Sequence, residues 1–131
     1  MSSEPESAPV RRDLAGPALR AFFQITRRWG LTTDQERRLL GNPGRSTYFR
    51  WKRDQAGPVP HDVLERISYL LGIYKALHIL FPNDQQADGW VRRPNTAPLF
   101  GGAAALDRML GGQVADLFVV RQYLDAQRGW S

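Results

Sequence analysis

Cysteine is absent from all 131 residues. Its absence removes disulfides, thiolate nucleophiles and cysteine-ligated zinc together, and it is compatible with a reducing compartment. Histidine is almost as scarce, with His61 and His78 alone. A metal centre needs ligands that the chain does not offer, and no cofactor is expected. A catalytic pair needs an imidazole held against a carboxylate with an activated nucleophile beside it, and the adjacency of His61 and Asp62 supplies no such geometry. His78, isolated in a helical pattern, reads as a packed or rim residue. No run reads convincingly as a strand, so no glycine-rich phosphate loop can follow one. An uninterrupted apolar span is missing too. The most hydrophobic stretch, Asp62 to Phe81, is broken by Glu65, Arg66, Lys75 and His78, each costly in hydrocarbon. The opening MSSEPESAPV has no basic segment leading into an apolar one, so no secretory signal is read and a cytoplasmic protein is expected. These absences leave little room for an enzyme.

What is present is helical. Within Asp62 to Phe81, apolar residues recur at Val63/Leu64, Ile67, Leu70/Leu71, Tyr74, Leu77 and Phe81, a spacing that only an α-helix gathers on one side. Ile73, Ile79 and Leu80 widen the stripe, so other elements are expected to enclose most of this central strut, with Pro60 and Pro82 at its limits. Residues 1–12 hold almost nothing to bury and read as a disordered lead-in. Leu14 to Trp29 forms a first helix through Leu19, Phe22, Phe23, Ile25 and Trp29. Thr33 with Glu36 makes a capping-box pattern for a short helix that Gly41 stops. Asn42-Pro43-Gly44 turns the chain, and a second short helix starts with Ser46 as cap and runs to Arg53. After the strut come a short helix over 83–93, a loop at 94–102 broken by two prolines and two glycines, a helical segment from Ala103 to Leu110, and a last helix from Val114 to Gln127. The class is all-α: a helix-turn-helix lobe at 13–57 joined by the long central helix to a small helical lobe within 58–131.

Charge is divided unequally between the halves. Residues 11–53 hold eleven Lys and Arg against three acids, whereas residues 54–131 hold seven against eight. Such a basic front half suits a polyanion. In a helix-turn-helix the second helix enters the major groove, and residues 45–53 supply groups for it: Arg45, Ser46, Thr47, Tyr48, Arg50, Lys52 and Arg53. Ser46/Thr47, Arg50 and Arg53 share one side, with Phe49 and Trp51 expected to anchor the other, although Trp51 can equally lie on sugar-phosphate. Thr33 can meet a phosphate or simply cap its helix. Solubilising charge on helix faces is the plain alternative to all of this.

The second half is more specific. The run Trp90-Val-Arg-Arg-Pro94-Asn95-Thr-Ala-Pro98-Leu-Phe100-Gly101-Gly102, continued by Leu106, Asp107, Met109, Leu110, Gly112, Val119, Tyr123, Leu124 and Gly129, closely resembles the toxin-binding C-terminal domain of the Xre/MbcA/ParS antitoxins. The strut and the Ser-Thr-Tyr-Phe-Arg-Trp-Lys-Arg helix resemble the same family, so the likeness covers about Leu14 to Gly129. It implies a type II antitoxin that neutralises a RES-domain toxin encoded next to it. That toxin destroys NAD or, in one branch, modifies a protein with ADP-ribose, and NAD is then the toxin's ligand alone. It also implies repression of the antitoxin's own operon through double-stranded operator DNA, and a homodimer or larger toxin–antitoxin assembly. The expected toxin contacts are Trp90, Asn95, Phe100, Gly101 and Gly102 in the loop and Leu124, Arg128 and Trp130 at the end, the tail lying over the toxin's NAD entrance. Phe100 stands where an aliphatic residue often precedes the glycine pair, and Ala103-Ala104-Ala105 where Thr/Ser-Pro often follows. A stand-alone transcription regulator whose back half only dimerises is the alternative.

Overall fold

Pro60 opens and an extended Phe81 closes a 20-residue helix, α4 (His61–Leu80), about which the other elements are arranged. The computed structural model describes residues 4–129, with side chains from Leu14 onward. Before α4 come α1 (Glu4–Arg28), α2 (Thr33–Leu39) and α3 (Arg45–Asp54); after it come α5 (Asp84–Gly89), a 3-10 turn at Trp90–Arg92, α6 (Ala105–Met109) and α7 (Val114–Gln127). Among the described residues there is no strand, only an isolated bridge between Pro94 and Ala104. The all-α architecture, with a helix-turn-helix region in front and a helical region behind, is as read from the sequence. No helix among the described residues is long and apolar enough to cross a membrane.

α4 lies between α1 and α7. It buries Val63, Ile67, Leu70, Ile73, Ala76 and Leu77, and each fully buried large aliphatic contributes about 1.5–3 kcal/mol relative to exposure. Into the same core α1 buries Ala15, Leu19, Phe22, Phe23, Ile25 and Trp29, and α7 buries Leu117, Val120 and Leu124. The enclosure is narrower than the apolar pattern suggests. Ile79 is 52% exposed and Leu71 37%; Leu71 rims an apolar groove of about 310 Å3 shared with Leu14, Pro17 and Leu64.

Three details depart from the sequence reading. Helix α1 begins at Glu4, so residues 4–12, expected to be disordered, continue the first helix; extending a helix already nucleated over Leu14–Arg28 adds a backbone bond for most residues without needing burial, except where Pro9 and Pro17 lack the N–H. The α2 cap is Thr32, whose hydroxyl accepts from the Gln35 amide while the Gln35 side chain accepts from the Thr32 amide. The capping box is therefore one residue earlier than Thr33/Glu36. At α3 the cap is Gly44, with no side-chain bond, and Ser46 lies inside the helix.

Two arginines, Arg66 buried and Arg92 exposed, tie the halves together. Arg66 of α4 donates through Nη2 to the Gly112 carbonyl at 3.0 Å, and its Nε is 3.7 Å from an Asp62 carboxylate oxygen, an ion pair too long for a hydrogen bond. Arg92 donates to the Trp29 and Gly30 carbonyls at 2.7 and 2.5 Å, closing the C-terminus of α1, where a cation also meets the negative end of the helix.

Candidate functional site

Five residues, Leu40 to Gly44, turn the chain between α2 and α3. Gly41 and Asn42 take φ of 90° and 61°, the left-handed region that these two residue types tolerate best. A Cβ on Gly41 would stand 2.9 Å from Arg66 Nε, so the turn also depends on close approach to α4. Arg37 donates twice to the Pro43 carbonyl, at 3.2 and 3.0 Å, which fixes the turn from the α2 side.

The α2–α3 angle is held from inside by a carboxylate. Glu36 is 4% exposed. One of its oxygens accepts from the Thr26 hydroxyl of α1 at 2.6 Å; the other accepts from the Tyr48 phenol and from Lys52 Nζ at 3.1 Å. Burial first, and then the Glu36 carboxylate, push the Tyr48 phenol above its ordinary value. For Lys52, burial acts downward, but the bonds to Glu36 and Tyr48 outweigh it and hold the ammonium above its ordinary value. Its Nζ also stands 5.7 Å over the Phe23 ring.

This arrangement revises the expected DNA-facing set. Tyr48 is fully buried and Trp51 nearly so, while Phe49 is 41% exposed. The helix is rotated relative to the expected phase: Tyr48 and Trp51 anchor it, and Phe49 lies outside with Arg45, Ser46, Arg50 and Arg53. Tyr48 is thus a support for α3. Lys52 is committed to Glu36, although nearly half its side chain is exposed. Arg53 is paired with Asp54 through two contacts of 2.9 and 3.3 Å; that pairing raises the guanidinium and lowers the carboxyl. Among the described residues Arg50 makes no hydrogen bond or ion pair, and with Thr47 it borders a cleft of about 450 Å3 between α3 and the start of α4. Thr33 is half-buried beside the Tyr48 hydroxyl.

In the second half, Asn95 closes the loop on itself. Its side chain accepts from the Ala97 amide at 2.9 Å, its amide donates to the Ala103 carbonyl, and its carbonyl accepts from Gly102. Gly101 and Gly102, with φ of 59° and 93°, are exposed and would find no atom within 4 Å of an added Cβ; their absence of side chains serves the turn and an open outer surface. Phe100 is buried in an aromatic triad, 5.8 Å from Trp90 and 5.3 Å from Tyr123, with Trp90 and Tyr123 stacked at 6.3 Å. Trp90, Tyr123 and Leu124 border one cleft of about 270 Å3 with Leu80, Phe81 and Gln127. Leu124 is 1% exposed and Phe100 7%, so both are core residues whose burial leaves little area for a partner. Arg128 lies 3.7 Å from Asp125, and Trp130 is outside the described residues.

Residues 8–72 match the antitoxin Xre-like helix-turn-helix domain, and residues 76–129 match the antitoxin Xre/MbcA/ParS C-terminal toxin-binding domain. The chain belongs to the Xre/MbcA/ParS antitoxin family. It is 53% identical over 124 residues to the uncharacterized protein y4oB of Sinorhizobium fredii (strain NBRC 101917 / NGR234), covering 94% of each chain. In this antitoxin the helix-turn-helix serves DNA binding and the back half a toxin partner. The boundary between the two matched regions falls within α4.

Sequence reasoning missed Glu36 as a buried hub, Phe49 as a surface residue, and Tyr123 in the aromatic triad. Two signals were available. Glu36 lies three and four residues before Leu39 and Leu40, on the apolar side of α2. Phe49 and Trp51 are two apart and cannot share a helix face, whereas Tyr48 and Trp51 can. His78 is flanked by Asp88 at 2.9 Å on Nε2 and Asp84 at 3.3 Å on Nδ1, with Tyr74 against its ring. The two carboxylates meet opposite nitrogens, and no group suited to hold a metal exists among the described residues.

Proposed function

We propose that this antitoxin binds and neutralises a RES-domain toxin encoded next to it, one that destroys NAD, and represses its own operon by gripping promoter DNA with α3. The carrying observation is the pairing of two unlike surfaces on one framework. α3 presents Arg45, Ser46, Arg50 and Arg53 outward, the groups that meet phosphates and guanine edges. The back half presents an ordered loop whose exposed glycines allow a partner backbone to approach closely. The RES identity of the toxin rests on the resemblance of the Trp90 to Gly102 run.

The antitoxin acts here by binding, and NAD belongs to the toxin. Thr33, Arg45, Ser46, Thr47, Arg50 and Arg53 serve DNA, with Tyr48 and Lys52 holding them in place. Trp90, Gly101, Gly102 and Arg128 serve the toxin, with Asn95, Phe100 and Leu124 shaping the surface. Assembly into a homodimer or a larger toxin–antitoxin complex belongs to the same reading. Co-expression with the adjacent reading frame tests it: the two products co-purify in fixed ratio, and the neighbour alone arrests growth and depletes NAD. A neighbour that is harmless alone, with the chain still shifting its own promoter, favours the stand-alone regulator.

A further inference from the structure

We propose that Phe49 reads the C5-methyl group of a thymine in the major groove, so that the DNA site carries a thymine beside the base pair met by Arg50. The inference rests on the DNA-binding reading of α3. Phe49 is an anomaly on that helix: a 41% exposed phenylalanine among Arg45, Ser46, Arg50 and Arg53. Its ring is also held in place. The Arg45 guanidinium stands 5.3 Å over one face, and the Tyr48 ring meets it edge-on at 4.9 Å and 72°. Tyr48 in turn is fixed by its bond to Glu36. The exposed edge is therefore presented rather than swinging free.

Position along α3 favours base contact. Residues in the first half of a recognition helix meet base edges, and Ser46, Phe49 and Arg50 all lie in the first six residues from Arg45. Among base edges in the major groove, the apolar group is the thymine methyl, and aromatic or small apolar side chains are its partners. Sugar-phosphate has no comparable reward for a phenyl edge. A wedge driven between base steps is a minor-groove device, and the surrounding arginines make a neutral protein partner a poor fit for this face.

The test does not require the operator to be identified beforehand. Duplexes are selected from a random pool with the full-length protein, and each thymine of the enriched site is then replaced by deoxyuridine, which removes only the methyl. One position is expected to weaken binding by about fourfold, the value of one methyl group returned to water. Phe49→Ala and Phe49→Ser, both checked for unchanged helix content, bind the thymine and uracil duplexes equally. If uracil is tolerated at every position by the wild-type protein, or if the Phe49 variants keep the uracil penalty, the proposal is overturned while the DNA-binding reading stands. If no duplex is retained even at low salt, both fall.

Discussion

Glu36 shows how one residue can govern a surface that it never reaches. Its carboxylate collects hydroxyls from α1 and α3 and the Lys52 ammonium. Replacing it by alanine leaves the Tyr48 hydroxyl buried without an acceptor and the Thr26 hydroxyl with only the Phe23 carbonyl at 3.3 Å, which costs about 1–3 kcal/mol. Urea unfolding of Glu36→Ala measures this, and Glu36→Gln, which keeps one acceptor oxygen, loses less. Tyr48 supplies a pH dependence. Its phenol lies above the ordinary 10.0 because burial and Glu36 disfavour the phenolate. The associated stability is complete below the ordinary value and is lost as pH rises through the raised one. Tyrosinate absorbance should therefore show late ionisation, with Tyr74, also raised by burial, sharing it. In Tyr48→Phe the alkaline loss of helix should be shallower. At Leu124 the expected effect is on stability: Leu124→Ala should cost about 2–5 kcal/mol as a core cavity, and a stable variant defective only in toxin binding would contradict its placement.

At the scale of elements, most of the architecture was legible because helices announce themselves by period. The three- and four-residue spacing of Ile67, Leu70 and Leu77, the Gly41 stop and the prolines around α4 all carry local physics that tertiary packing did not override. Helix phase was harder. α3 has only ten residues, few of them apolar, so a rotation of one position exchanges Tyr48 for Phe49 with little penalty in pattern alone. Thr32 and Thr33 are adjacent and both can begin a helix, so the pattern alone assigns Glu36 to a cap. The loop residues were legible as a loop, but the inward turn of Phe100 depends on its packing against Trp90 at the start of the run and against Tyr123, a whole helix further on. The α2–α3 turn offers a test of its own. Gly41→Ala forces a Cβ into a left-handed conformation against Arg66, at about 1–3 kcal/mol, and should lower DNA affinity by disturbing α3 while toxin capture persists.

Across the whole molecule the basic excess sits in front, with eleven Lys and Arg in residues 11–53. DNA affinity should fall steeply with salt, by about 0.9 in the logarithmic slope for each phosphate neutralised. Arg50→Ala should weaken specific binding by about 1–3 kcal/mol, read by gel shift, with toxin capture unchanged. The two halves share α4 and are clasped by Arg66 and Arg92. Heat should accordingly unfold the chain in one transition by both circular dichroism and tryptophan fluorescence. Two separated transitions would show that the halves are independent.

A shared central helix also governs turnover. Unravelling α4 from either end strips α1 and α7 of the surface that they pack on, so limited proteolysis should leave no smaller folded fragment. On the function proposed above, clearance as a single event ends the binding of DNA and of toxin together.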